Sequence, residues 1–387
     1  MKILLTSDWY TPAVNGVVTS VLNLRRGLEK SGHEVKVLTL SQTSHSFSRE
    51  GVTYLGSVPA GVVYPGARVR IASGERLIQD IMDWKPDIVH SNCEFSTFRY
   101  AHRISETLNI PLVHTYHTVY ENYTHYFSPV KQWGRKAVQL LSRRMAAQTD
   151  CLIVPTEKIK KLLLGYGIQE TIYVVPTGIE KEHFTGSFLE AEGMKIRKKL
   201  GIPSENTVLI FVGRLAKEKN CEELLRGVAH LRDAPFTLLF VGDGPYRHEL
   251  ERISHALQLD RQVIFTGMIQ PKDVSRYYHA GDLFVSASNS ETQGLTYLEA
   301  LSSGLPLLCR RDDCLIGVLT EGVNGWQYKT DTEFAEKIDW FMKCPEVRAV
   351  YRNKAAQSGL KFSISAFAAD VEQVYRDQIR LRREMIL

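Results

Sequence analysis

Two doubly wound α/β domains facing across a cleft are predicted by three observations. The chain has 387 residues, more than one hydrophobic core ordinarily serves. Short apolar runs of strand length alternate with longer stretches of helical period. That alternation occurs twice, once in each half, as it does where helices cover a parallel sheet. The apolar content of 44% and charged content of 24% are those of a globular chain.

The first domain is predicted over 1–180. KILLT at 2–6 reads as a short buried strand, 8–16 as the loop after it, 17–30 as a helix ended by Gly32, and 33–40 as a second strand. This is the opening of a Rossmann-like unit. The loop SDWYTPAVNG has Gly16 as its only glycine, so it lacks the three-glycine dinucleotide fingerprint and argues against NAD. Further strands are expected at 88–90, 111–115, 151–155 and 173–176, with 56–74 and the aromatic-rich 116–127 lying between them. The stretch 130–148 reads as a helix carrying Trp133, Ala137, Val138, Leu140, Leu141 and Met145 among Lys131, Arg135, Lys136, Arg143 and Arg144. A core helix with a solvated cationic face and a helix lying on a membrane surface both fit that pattern.

Residues 180–201 are polar and basic and read as a linker. The second domain, predicted over 181–363, has strands at 208–212, 237–241, 263–265 and 283–285. Helices are expected at 221–231, after the GDGP turn at 242–245, and near 274–280. No tandem repeat or low-complexity tract interrupts either half.

The chemistry concentrates in SETQGLTYLEALSSG at 290–304. An apolar strand precedes it, a glycine turn at Gly294 follows, and then a helix begins. The unpaired N–H groups and dipole at such a helix start favour an anion. Glu291 and Glu299 bracket the turn. Carboxylates beside an anion site suit a ligand that also carries hydroxyl groups, such as a sugar nucleotide; two solvated glutamates are the plainer alternative. Gly213-Arg214 follows a strand end, with Lys219 five residues after the arginine. Two cations there suit a diphosphate leaving group without a metal, or are simply exposed charges at a helix start. HTYHTVYENYTHYF at 114–127 holds His114, His117 and His125, whose spacing makes no metal-binding helix motif. His117, just past a predicted strand, is placed to bond a ligand hydroxyl or is a structural histidine.

Charge is unevenly spread. Residues 1–180 carry 20 Lys and Arg against 15 Asp and Glu, while 181–387 carry 28 against 28, so only the first half is basic enough to favour an anionic surface. The six cysteines, at 93, 151, 221, 309, 314 and 344, show no paired metal spacing. Cys309 and Cys314 fall in a predicted loop, and free thiols in a reducing compartment are expected. Ile3, Leu4 and Leu5 are too short a run for a signal peptide, and no later run approaches a membrane span. A cytoplasmic location is therefore expected.

These motifs resemble a known family, the retaining glycosyltransferases with two Rossmann-like domains (GT-B), in the group marked by Glu, seven residues, Glu. The resemblance covers nearly the whole chain. It runs through Pro12-x-x-Asn15-Gly16, Pro176-x-Gly178-Ile179, Gly213-Arg214 with Lys219, Gly242-x-Gly244-Pro245, Phe265-x-Gly267 and Glu291 to Glu299. Many members carry Phe where this chain has Gln293. SETQGLT, Asn324-Gly325 and the histidine-rich segment look most like the branch that glucosylates diacylglycerol.

The resemblance implies that Glu291 binds donor-sugar hydroxyls near the reacting carbon and Glu299 the ribose. It implies that Arg214 and Lys219 hold the diphosphate with backbone N–H groups of Gly294, Leu295 and Thr296. His117 would touch the sugar, Gly16 would let backbone approach it, and Met268 would lie beside the base. The last helix, 364–387, would return to the first, acceptor-binding domain, leaving nucleotide-sugar binding to 181–363. The implied reaction moves a hexose, glucose from UDP-glucose, to a lipid hydroxyl with retention. No tightly bound cofactor, no metal site and no nucleic-acid partner are implied. The implied partners are a UDP-sugar, a lipid acceptor and an anionic membrane surface met by the basic first domain, on the inner face of the cell membrane. A soluble or different lipid acceptor, or a non-transferring sugar-nucleotide binder or epimerase, is the alternative.

Overall fold

The computed structural model describes residues 1–13, 15–60, 67–70, 75–119, 121 and 131–384. Contacts divide the chain into two compact units: Met1–Gly178 together with the chain from Ile364 onward, and Ile179–Ser363.

In the N-terminal unit the strands lie in the spatial order Ile172–Val174, Cys151–Val154, Leu112–Thr115, Ile88–Ser91, Lys2–Ser7, Glu34–Leu40, Val52–Leu55, Phe47–Arg49. All pair in parallel except the last, which joins its neighbour antiparallel. The central strands are apolar on both faces because helices cover both. Ile3, Leu5, Val37 and Ile88 belong to one core layer, and Leu4, Leu38, Val89 and Leu112 to the other. The helix Ile364–Glu384 packs on the first layer, where a Cβ on Gly27 of the helix Gly16–Lys30 would lie 2.5 Å from that of Ala368. Its Tyr375 is fully buried and bonds His90, and Arg382 pairs with Asp150 at 2.7 Å.

The C-terminal unit has six parallel strands in the order Val263–Phe265, Phe236–Val241, Thr207–Val212, Leu283–Ser286, Leu307–Arg310, Gly325–Tyr328. Numbered along the chain this is 3-2-1-4-5-6, the doubly wound order whose ligand crevice opens beyond the carboxyl ends of strands 1 and 4.

Two sequence expectations are corrected here. Residues 180–201, read as a linker, form a short turn of helix at Lys181–Phe184 and a full helix at Ser187–Lys199. That helix buries only Gly193, where a Cβ would lie 2.3 Å from the His279 carbonyl oxygen, so it shows almost no apolar stripe. Cys309, placed in a loop, lies in the strand Leu307–Arg310. All six cysteines are free thiols, and five are buried.

Candidate active site

In the C-terminal unit the strands Thr207–Val212 and Leu283–Ser286 are neighbours, Leu209 opposite Leu283 and Ile210 opposite Phe284. Their connections leave in opposite directions, so the loops at 213–220 and 287–294 share one crevice. The first loop is pressed onto the turn after Phe236–Val241. A Cβ on Gly242 would lie 2.1 Å from the Gly213 oxygen, a distance that requires glycine. The side chain of Arg214 pairs with Glu218. Lys219 closes the short turn Lys217–Lys219 and brings its Nζ to 2.5 Å from Glu291 Oε1. Ser290 Oγ donates to the Glu218 carbonyl at 3.0 Å, and Asn220 Nδ2 lies 3.5 Å from the Ala287 carbonyl. The two loops are thus tied together, with two cations each paired with a carboxylate.

Gly294 sits at the start of the helix Leu295–Ser302 with φ +75, a left-handed conformation that glycine adopts freely. A Cβ there would also lie 2.5 Å from the Tyr297 ring, and Tyr297 itself is anchored by a 3.2 Å contact between its hydroxyl and Ser286 Oγ. The first turn of this helix carries no acidic side chain, which leaves its dipole open to an anion. Glu299 lies one turn further in. Tyr278 Oη donates to Glu299 Oε2 at 2.7 Å. Burial pushes the Glu299 carboxyl up, and the Tyr278 bond opposes that shift. Glu291 and Glu299 therefore differ in setting: one faces a lysine, the other a phenol in half-buried surroundings.

Met268 is 73% exposed. It lines a surface cavity of about 440 Å³ with Ile269, Tyr277, Lys195, Lys199 and Arg276. That lining includes none of Lys219, Glu291 and Glu299, while Gly267, just before Met268, bridges to Gly242 beside the first loop.

In the N-terminal unit Gly16 opens the helix Gly16–Lys30, whose cap Asn15 accepts the Val18 N–H at 3.0 Å. Among the described residues nothing lies within 4 Å of where a Cβ would stand at Gly16, so their packing does not account for glycine there. His117 lies past the strand Leu112–Thr115, its Nε2 3.0 Å from Asn92 Oδ1. Burial, helped by His114, pushes His117 down to about 3, so the ring is neutral at working pH. His114 itself is buried against Glu94 at 3.4 Å, and His125 lies outside the described residues.

Sequence reasoning missed Asp8, Asn92 and Glu94. Asp8 accepts the N–H groups of Ser96 and Thr97 at 3.0 and 2.7 Å, capping the start of the helix Ser96–Leu108 from almost ninety residues away. No local pattern carries such a contact. The only available signal was position, since Asp8 and Asn92 follow directly on strand ends and Glu94 lies three residues past one.

The helix expected at 130–148 is described over Lys131–Ala146. Its apolar residues divide between two faces. Val138, Met145 and Ala146 are buried with Ser142. Trp133, Leu140 and Leu141, spaced for one stripe, are 74%, 61% and 39% exposed. Arg135, Lys136, Arg143 and Arg144 are exposed too. Arg68 and Arg70 are committed internally. Arg68 donates to the Ser41 and Ser57 carbonyls at 3.0 and 2.9 Å, and Arg70 lies 4.0 Å over the Tyr100 ring. Among the described residues no helix is long and apolar enough to cross a membrane.

Comparison with known proteins bears on this arrangement. Residues 194–358 match the family model "Glycosyl transferases group 1", and residues 14–183 match "Glycosyltransferase Family 4". The chain is 33% identical to the alpha-monoglucosyldiacylglycerol synthase of Streptococcus pneumoniae, over 98% of this chain and 86% of that protein. It is 29% identical to the Acholeplasma laidlawii enzyme of the same name, over 98% of each. Among solved structures, Anabaena HepE in complex with UDP and glucose superposes with a TM-score of 0.76 at 18% identity, covering 97% of this chain and 100% of that one. The fold is that of the GT-B glycosyltransferases.

Proposed function

The chain belongs to the group 1 glycosyltransferases, and from that premise we propose that it transfers glucose from UDP-glucose to diacylglycerol with retention at the anomeric carbon. The observation that carries the donor side is the convergence of Lys219, Arg214, Glu291 and the start of the helix Leu295–Ser302 at one switch point. As the glycosidic bond to UDP breaks, negative charge grows on the departing diphosphate. Lys219, Arg214 and the N–H groups of Gly294, Leu295 and Thr296 stabilise it. Glu291 holds the sugar hydroxyls, Glu299 the ribose, and neutral His117 a hydroxyl of the sugar. The lipid acceptor is supported by the two synthases that share nearly the full length of the chain.

A lipid substrate requires the enzyme to sit on a bilayer. The helix Lys131–Ala146 offers both parts of an interfacial anchor, exposed Trp133, Leu140 and Leu141 to enter the headgroup region and cations to meet anionic lipid. Each cation near such a surface contributes about 1 kcal/mol, and salt weakens the attraction. Wild-type protein is expected to co-sediment with anionic vesicles and much less with neutral ones. Reversing the charges of Arg135, Lys136, Arg143 and Arg144, or replacing Trp133 and Leu140 by Ser, is expected to release it. Equal, weak binding to both vesicle types would remove the docking surface and shift the acceptor to a soluble molecule.

A further inference from the structure

The N-terminal sheet has a switch point of its own, between Lys2–Ser7 and Ile88–Ser91. Asn92 follows the second of these strands and is only 2% exposed. Its Nδ2 lies 3.4 Å from the Thr6 carbonyl oxygen and 3.3 Å from that of His90. Both oxygens can only accept, so the amide nitrogen must face the sheet and Oδ1 must face away from it. The opposite orientation would set Oδ1 against two carbonyl oxygens in a buried site. With the amide fixed in this way, Oδ1 lies 3.0 Å from His117 Nε2.

An amide oxygen can only accept, so His117 Nε2 carries a proton. Whether Nδ1 carries one too depends on the ring's charge, and its surroundings disfavour a cation. Burial is the larger reason, and His114 beside the ring adds to it. Glu94 lies against His114 and Asp8 accepts from the Ser96 and Thr97 N–H groups. Among the described residues nothing bonds His117 Nδ1.

We propose that Asn92 is a positioning residue that holds His117 as its Nε2–H tautomer, so that Nδ1 offers a lone pair to a hydroxyl of the substrate sugar. This rests on the reading above that His117 meets that sugar. Volume alone does not explain asparagine at this place, because an apolar side chain of similar size would leave the Thr6 and His90 carbonyls and the imidazole equally well packed but the ring free to exchange tautomers.

Enzyme labelled with ¹⁵N-histidine tests this in the wild-type protein. Two-bond ¹H–¹⁵N spectra are expected to show His117, identified by its loss in His117→Gln, as Nε2–H at neutral pH. Asn92→Asp keeps an acceptor but favours the imidazolium. In it the His117 pKa is expected to rise, so that KM for UDP-glucose climbs as pH falls through a range in which the wild-type KM is flat, and recovers at high pH. Asn92→Leu is expected to raise that KM about 3- to 10-fold at all pH values. An Nδ1–H or doubly protonated His117 in the wild type, or an Asn92→Asp profile that superposes on the wild type, overturns the assignment. Unchanged KM in His117→Gln would remove the sugar contact on which the proposal rests, and the tautomer spectrum tells that failure apart from failure of Asn92's role.

Discussion

Lys219→Ala is expected to lower kcat by roughly a hundredfold or more, the scale of losing one preorganised charge stabiliser. The free protein holds Lys219 Nζ 2.5 Å from Glu291 Oε1, so the substitution has two consequences. It removes a cation from the place where leaving-group charge develops. It also takes one cation from beside Glu291, so that carboxylate repels an incoming diphosphate more strongly. Relief of that repulsion distinguishes the two effects. Adding Glu291→Gln to Lys219→Ala is expected to recover part of the loss in donor affinity and none of the loss in kcat, so the two changes are not additive. Arg214→Ala is expected to lower kcat on a similar scale. Its guanidinium is held by Glu218, whose carbonyl is in turn held by Ser290, so it belongs to the same pair of tied loops. Steady-state turnover of UDP-glucose with acceptor vesicles checks both. Normal rates in both variants would remove the leaving-group role.

Glu299→Ala is expected to act on binding instead. Hydrogen bonds to a charged group contribute about 1.5–3 kcal/mol, which is roughly a tenfold to hundredfold rise in donor KM if the ribose is its partner. Burial already raises the Glu299 carboxyl, so the Tyr278 bond at 2.7 Å matters to keeping it ionised. Tyr278→Phe is therefore expected to raise the donor KM less than Glu299→Ala does, with kcat little changed. Direct titration with UDP checks the ground-state contact. Unchanged UDP affinity in a folded Glu299→Ala protein would remove the ribose assignment.

Much of the fold was legible because its signals are local. Each half announces a parallel sheet through short apolar strands, such as Leu283–Ser286, separated by helical stretches. The glycines that end those strands mark where loops lie on one another, as Gly242 does on Gly213. Illegible features depend on partners distant in sequence or on which of two faces is covered. The helix Ser187–Lys199 touches its neighbour through a glycine, so hydrophobic periodicity had nothing to register. The strand Leu307–Arg310 is four residues long and follows Pro306 directly, so it read as loop. In the helix Lys131–Ala146 composition alone could not divide the apolar residues between a buried stripe and an exposed one. In the candidate site the residue types at 213–219 and 290–299 pointed to an anionic, hydroxylated ligand. The Lys219–Glu291 pair and the Asn92–His117 contact join residues 72 and 25 positions apart, which no spacing rule reads.

Acceptor-dependent transfer of a hexose to a lipid is tested by a single radiolabel assay. Purified enzyme is incubated with UDP-[¹⁴C]glucose and anionic vesicles with and without diacylglycerol, and both released UDP and labelled lipid are quantified. The expected result is labelled monoglucosyldiacylglycerol of α configuration, formed in equal amount to the UDP released, with little of either when diacylglycerol is left out. UDP release that is the same with and without diacylglycerol, or label appearing only in water-soluble products, would contradict it.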